Sequence, residues 1–339
     1  MRKLHQIRIK VQHTFLPIIP FRLHKRFLFG IESISLKRFE SLNANGRGTA
    51  NNRNTGESRM YRLMHDERFL ELIPKAVTAL INRSAGELRL SLDFSKVGPL
   101  QIACLAVTTG KGRALPVWIK VYFSKPRRGT MIPKLIRGLE KFILNVDSVT
   151  RINICMDRWF ASPELLKFLH GSGLTFIVRV KSGLHVGVPW EEEPIPVGEI
   201  SAEDTICIYA GMRLRLVRSN LRAGMKEDEP WFLLTNDWEM SRQMILNRYA
   251  KRFEIEEFFK DLKWIQGYEW HRIKTKKVLE TVLWFMILGW WILKEVFWGE
   301  VLLSRSRQIN PKKRLSFFRH IWEKFHLAVS VEGFKLVDT

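Results

Sequence analysis

Along ELRLSLDFS (87–95), leucine and polar residues alternate, the period of a strand with one buried face. QIACLAVTT (101–109) is a run of small and β-branched residues, and ALPVWIKVYF (114–123) alternates again. GKGR (110–113) supplies turn chemistry between the last two, and a helical period over Phe69–Ile81 precedes all three. PKLIRGLEKFIL (133–144) has helical spacing, RINICMD (151–157) is a short apolar run ending in an acid, and SPELLKFLHGSG (162–173) is a capped helix closed by glycine. TFIVRVKSG (175–183) reads as another strand. The order β-β-β-α-β-α-β predicts an antiparallel meander followed by βα units, hence a mixed sheet with helices on its faces.

The pattern then changes. PWEEEPIPVGEI (189–200) and TICIYAGMRLRLVRS (205–219) have no helical period and predict an all-β insertion, after which WFLLTND (231–237) resumes strand character. NRYAKRFEIEEFFKDLK (247–263) predicts a long helix. TVLWFMILGWWIL (281–293) is the most hydrophobic stretch, but it is shorter than the roughly 20 residues a membrane span needs. Glu280 and Lys294 close it, so it predicts a buried core helix. Residues 1–40 mix Arg and Lys with Ile, Phe and Leu, which leaves open a small DNA-binding arm or a poorly ordered tail. SLNANGRGTANNRNTGES (41–58) has the composition of a linker or exposed loop. The expected organisation is therefore a basic N-terminal region (1–84), a core in two pieces (85–183 and 231–300) split by the β-rich insertion (184–230), and a C-terminal helical region (301–339).

Charge narrows the partner. The 56 Lys and Arg against 34 Asp and Glu give a net charge of +22, a field that favours polyanions, nucleic acid before an anionic membrane surface. Cys104, Cys155 and Cys207 are scattered, without a CxxC pair, and fit buried packing in a reducing compartment. No convincing signal peptide opens the chain, because basic residues interrupt the apolar segments.

The acids carry the candidate chemistry. Asp93 lies inside the first strand and Asp157 at the end of the fourth, where a turn former is the bland explanation. An unpaired charge is costly inside a strand, and two such acids on adjacent strands would offer oxygen ligands suited to magnesium. On a helical count of about 100° per residue from Tyr249, Arg252, Glu256 and Lys263 share one stripe. Ile255, Phe258, Phe259 and Leu262 form the core face, and Glu254, Glu257 and Asp261 point away as solvated charges. Glu256 stands at the core margin; either it completes a metal pair or it makes an ordinary i,i+4 salt bridge to Arg252 or Lys260.

Tyr249, Arg252, Glu256 and Lys263 match a Tyr-x2-Arg-x3-Glu-x6-Lys signature, and Asp93 in LDFSKVG and Asp157 in MDRWFAS match the two aspartates that accompany it. Over roughly residues 85–300 the chain thereby resembles the DDE transposases of insertion sequences, specifically the insertion-sequence-four group. The resemblance implies an RNase H-like α/β core. In it, Asp93, Asp157 and Glu256 would hold two Mg2+ ions, with Mn2+ as substitute, for cleavage at element ends and transfer of 3′-hydroxyls into target DNA. Arg252 and Lys263 would hold DNA phosphates, and Tyr249 would support the strand end. Lys111, Arg113, Arg127, Arg128, Arg272 and Lys274, in three basic loops, are expected to follow the DNA backbone, although each loop could equally be a solvated one. Trp190, Trp231 and Trp238 are candidates to stack a flipped base, packing being the blander role. The implied partners are double-stranded DNA and a second copy of the chain, with no membrane or small-molecule substrate, in a prokaryotic cytoplasm near the nucleoid. The alternatives are a relative that binds DNA without cutting it, and a nuclease that cuts without joining.

Overall fold

The computed structural model describes residues 6–7, 9, 11–35, 44, 53–82, 86–110, 112–123, 130–147, 151–220, 230–264, 273 and 275–306. Its centre is a mixed sheet of eight strands. The antiparallel meander β1 (Glu87–Val97), β2 (Leu100–Thr108) and β3 (Ala114–Phe123) falls where the alternating runs predicted it. β4 (Arg151–Met156) and β5 (Thr175–Val180) then join β1 in parallel. Parallel neighbours need crossovers, which α4 (Met131–Ile143) and α5 (Pro163–Gly171) provide. α5 starts at Ser162, whose hydroxyl accepts from Leu165 N, with Pro163 as its first residue.

The β-rich segment contributes a two-stranded pair, β6 (His185–Val186) with β7 (Ile195–Pro196), and the hairpin β8 (Asp204–Tyr209)–β9 (Met212–Arg218). The hairpin turns on Ala210 and Gly211, with φ of 52° and 80°, the left-handed pair that a two-residue turn requires. β9 pairs with β10 (Phe232–Thr235), which pairs with β5, so the hairpin extends the main sheet.

Helices α1 (His24–Gly30), α2 (Arg53–Met64) and α3 (Phe69–Asn82) precede the sheet. α6 (Arg242–Ala250), α7 (Glu254–Trp264) and α8 (Lys276–Ser306) follow it. The apolar 281–293 run lies in α8 and is buried, as its pattern predicts. Trp291 donates its indole N–H to Pro116 O at 2.7 Å, and Glu280 accepts from Lys120 Nζ at 2.9 Å, fastening α8 to β3. No described helix is long and apolar enough to cross a membrane.

Two features of the N-terminal region differ from the sequence reading. Arg53–Ser58, expected in a linker, open helix α2, because Met60, Leu63 and Met64 anchor that helix in the core. Packing of an apolar face outweighs weak local propensity. Further upstream, Val11, Phe15, Ile19, Leu23 and Phe27 are all buried in the main core, where Phe27 packs on Phe69 and Phe285.

Strand alternation sorts the core into two faces. Ile154 and Met156 of β4 point into the main core, whereas Cys155 points into a smaller cluster with Ile177, Val217, Leu233, Ile245 and Tyr249. Helix α6 covers that second face, and the candidate site lies at its edge. All three cysteines are buried and free.

Candidate active site

Asp93 and Asp157 are neighbours by register. β1 and β4 pair in parallel through Ser91↔Cys155 and Leu92↔Met156, so the two aspartates stand one position beyond the last pair. Residues paired in register share a face, so Asp93 and Asp157 continue the column of Ser91 and Cys155, the face that α6 covers. β4 ends at Met156 because Asp157 caps the next turn, its Oδ1 accepting from Arg158 N at 2.6 Å. The turn-forming role is therefore real and coexists with the position beside Asp93. Asp93 Oδ1 accepts from its own neighbour, Phe94 N, at 2.7 Å.

The third acid arrives on a broken helix. The sequence predicts one continuous helix through 247–263, but α6 stops at Ala250, Lys251–Phe253 form a 3-10 turn, and α7 begins at Glu254. Arg252 sits in that joint, buried, with Nη1 on Asp93 Oδ2 at 3.1 Å and Nη2 on Glu256 Oε1 at 3.0 Å. Its guanidinium also lies over the Phe253 ring at 4.7 Å and the Tyr249 ring at 5.7 Å. The i,i+4 pair and the approach of Glu256 to Asp93 are thus one arrangement.

Burial pushes the Asp93 carboxyl up to about 6; Arg252 pulls it down, and Glu256 and Asp157 push it up further. For Arg252, burial disfavours the charge, but Tyr249, Asp93, Glu256 and Asp157 more than offset it. Tyr249 is fully buried under Trp231, ring to ring at 5.1 Å, and burial lifts its phenol to about 12. Its hydroxyl and Arg252 Nε both lack a well-formed hydrogen bond. As placed, Tyr249 braces Arg252 from beneath instead of facing solvent.

The donor set fits a hard divalent cation: three carboxylates near enough for two of them to raise the pKa of the third. They do not converge into a finished cluster. Among the described residues no three His, Cys, Asp or Glu side chains do, and Arg252 lies between Asp93 and Glu256.

The other acids of α7 are not the solvated charges that helical counting predicts. Glu254 is buried, and its carboxylate accepts from Thr109 N at 2.7 Å, Gly110 N at 3.2 Å and Gly112 N at 3.1 Å. Asp261 is buried and takes Arg113 Nε at 2.7 Å, while Glu257 takes Arg113 Nη1 at 3.2 Å and Lys260 Nζ at 2.5 Å. The physical cause is tertiary: the β2–β3 turn closes over the face of α7 that counting leaves to water. The 3-10 turn, at about 120° per residue, shifts α7 as a whole relative to Tyr249 and leaves the angle between these acids and the core face unchanged. Ile255, Phe258, Phe259 and Leu262 are buried as expected.

The residues expected on DNA divide. Arg113 is turned inward onto α7, so a phosphate would have to draw it off two carboxylates. Lys263 is half-buried at the end of α7. Lys111, Arg127, Arg128, Arg272 and Lys274 lie outside the described residues. Trp231 packs, as the blander reading has it, but Trp190 and Trp238 are about half exposed, at 54% and 47%. Trp238 lies beside Arg213, whose guanidinium is 5.3 Å from its ring centre. Trp159, overlooked in the sequence, is 48% exposed and stands edge-on to Phe94 at 4.6 Å, next to both aspartates. Its signal was an aromatic following each acid, in DF and DRWF.

With this geometry in hand, comparisons with known proteins are consistent with the sequence signature. The family described as Transposase DDE domain matches residues 103–292, more than half of the chain, and includes Asp157 and Glu256. Asp93 lies ten residues before that match. No curated protein matches the chain in sequence. Among solved structures, the chain is similar to a piggyBac transposase in a synaptic complex with hairpin DNA, determined by cryo-EM. Identity is 13% and the TM-score 0.44, over 99% of this chain and 80% of that one, a likeness too low to bear on mechanism.

Proposed function

The chain belongs to the transposase DDE domain family, and from that premise we propose that it cuts DNA at the ends of an insertion sequence and joins the freed 3′-hydroxyls to target DNA. Asp93, Asp157 and Glu256 are the proposed carboxylates of a site for two Mg2+ ions, which Mn2+ would also fill. The observation that carries this reading is the register. Two acids follow the last pair of adjacent parallel strands, and Arg252 brings a third to the first of them. The full signature of Tyr249, Arg252, Glu256 and Lys263 supports membership of the insertion-sequence-four group.

The side chains divide the work. Bound divalent cations would lower the pKa of the attacking water or 3′-hydroxyl and stabilise charge on the leaving oxygen. Asp93 and Asp157, each fixed by a backbone N–H group, would hold the cations at the end of β4. Arg252 holds Glu256 toward Asp93 in the free protein, and with Lys263 it offers positive charge to DNA phosphates when the carboxylates are otherwise neutralised. Double-stranded DNA is the proposed partner, with two copies of the chain acting together, and the net charge of +22 supports its attraction.

The test is a supercoiled plasmid carrying the element's ends, incubated with the protein and Mg2+ or Mn2+. The wild-type chain cuts and joins, and Asp157→Asn or Glu256→Gln lowers both by more than about 100-fold, since loss of even an outer partner costs 10–100-fold. Full cleavage by either variant would remove the metal assignment. Cleavage without joining would make the protein a nuclease, and binding without cleavage a non-cutting relative.

A further inference from the structure

The β2–β3 turn, whose basic composition suggested a DNA contact, is occupied by the protein itself. Gly110 and Gly112 have φ of 70° and 83°, conformations that L side chains rarely adopt. Left-handed residues in a turn direct successive N–H groups to one side and form a concave anion receptor. Three N–H groups of this turn, from Thr109, Gly110 and Gly112, meet on the Glu254 carboxylate. Thr109 Oγ1 closes the turn by donating to Arg113 O at 2.6 Å. From the last residue of the turn, Arg113 reaches two turns along α7 to Asp261 and also meets Glu257. Helix α7 is thus held at its first residue and again near its middle, and Glu256 lies between the two holds.

The alternative placement of Glu256 would rest on Arg252 alone, and Arg252 is bonded to Asp93 as well. Any group that draws Arg252 away, a phosphate included, would leave Glu256 without that tether. The grip of the turn on α7 does not involve Arg252, so it persists when the carboxylates change partners.

The geometry points to Glu254 and Arg113 as positioning residues for Glu256: the GKGR turn is a receptor that fixes where helix α7 presents its working acid. This rests on the proposed role of Glu256 and assigns a task to the acid two residues before it. Glu254 does not touch the reacting atoms; it acts by fixing the first turn of its helix.

The test uses the full-length chain and its Glu254→Ala, Glu254→Gln and Arg113→Lys variants. Folding is followed by circular dichroism, Mn2+ affinity by electron paramagnetic resonance, and hydrogen exchange of residues 254–264 by mass spectrometry. Glu254→Ala keeps the overall fold, weakens Mn2+ binding about tenfold or more, and lowers kcat for plasmid cleavage with KM for the DNA unchanged. Glu254→Gln, which keeps one acceptor oxygen, recovers part of the loss, and Arg113→Lys, which keeps a positive charge but not the guanidinium fork, weakens Mn2+ binding less than Glu254→Ala does. Wild-type Mn2+ affinity and exchange in a folded Glu254→Ala protein would overturn the proposal and leave the proposed function standing. If the wild-type chain itself takes no Mn2+, the metal assignment fails. Exchange then decides the receptor: faster exchange of 254–264 in Glu254→Ala upholds the hold on α7, and unchanged exchange refutes it.

Discussion

Glu254 and Glu256 sit two residues apart on one helix and have opposite surroundings. Glu254 is 7% exposed and accepts from three backbone N–H groups, whereas the Glu256 side chain is 42% exposed and meets Arg252. A carboxylate offers about four lone-pair positions, so the first acid is nearly saturated and the second has capacity left. The saturated acid belongs to the scaffold, and the undersaturated one is free to take a ligand. On this helix, accessibility and spare acceptor capacity separate the two roles where charge and spacing do not.

The contrast is broken most strongly at Arg252. Arg252→Ala removes one partner of a buried ion pair and leaves Asp93 without its guanidinium, which costs about 3 kcal/mol. Urea unfolding at neutral pH measures it, and a loss under about 1 kcal/mol would mean that Arg252 is not what holds the acids together.

Next comes the pH dependence of Asp93. Its carboxyl, buried, titrates at about 6, against 3.8 for the unperturbed group. Below 3.8 the folded and unfolded chains are both protonated there, and this residue imposes no penalty. As pH rises through 6, the folded state must ionise a buried carboxyl, so stability falls between about pH 4 and 7 and stays lower above. Asp93→Asn escapes this pH-dependent penalty but leaves Arg252 without its carboxylate at every pH, so its stability relative to wild type rises by about 2 kcal/mol between pH 4 and pH 7.5 on top of a constant loss. A gap that does not change with pH would contradict the assignment of the shift to Asp93.

The smallest effect belongs to the outer face of α7. Lys260 pairs with Glu257 at i,i+3, its own side chain well exposed and that of Glu257 partly so. Lys260→Ala changes stability by no more than about 0.5 kcal/mol in the same urea measurement. A larger loss would place Lys260 in the receptor network with Arg113.

Much of the fold is written locally. β1 to β5 and the helices between them follow from two periods, 2 and 3.6, with a serine cap and a closing glycine marking α5. That β4 lies beside β1, which sets the two aspartates side by side, does not follow from those periods: they give a meander and βα units but no strand order. What the sequence hides depends on partners distant along the chain. Glu254 is buried by a turn some 140 residues earlier, and α2 forms from a linker-like composition because Met60 and Leu63 find a core elsewhere. The 3-10 joint at Lys251–Phe253 has no proline or glycine to announce it, so helical counting ran through it unaware. The two glycines of GKGR were the one local clue that this turn had a special backbone.

The packing of Phe27 against Phe285 sets a timetable for the newborn chain. The two rings are 6.1 Å apart, and a Cβ on Gly30 would come within 2.4 Å of the Phe285 ring, so the contact admits no looser substitute. Some 258 residues separate them in the sequence. At synthesis rates of about 5–20 residues per second, the early phenylalanines wait roughly 13–50 seconds for their partner to be made. During that wait the face that Phe285 will cover is exposed to every other sticky chain nearby, although Phe69 is already at hand, which makes the first helices a natural client for chaperones at the ribosome.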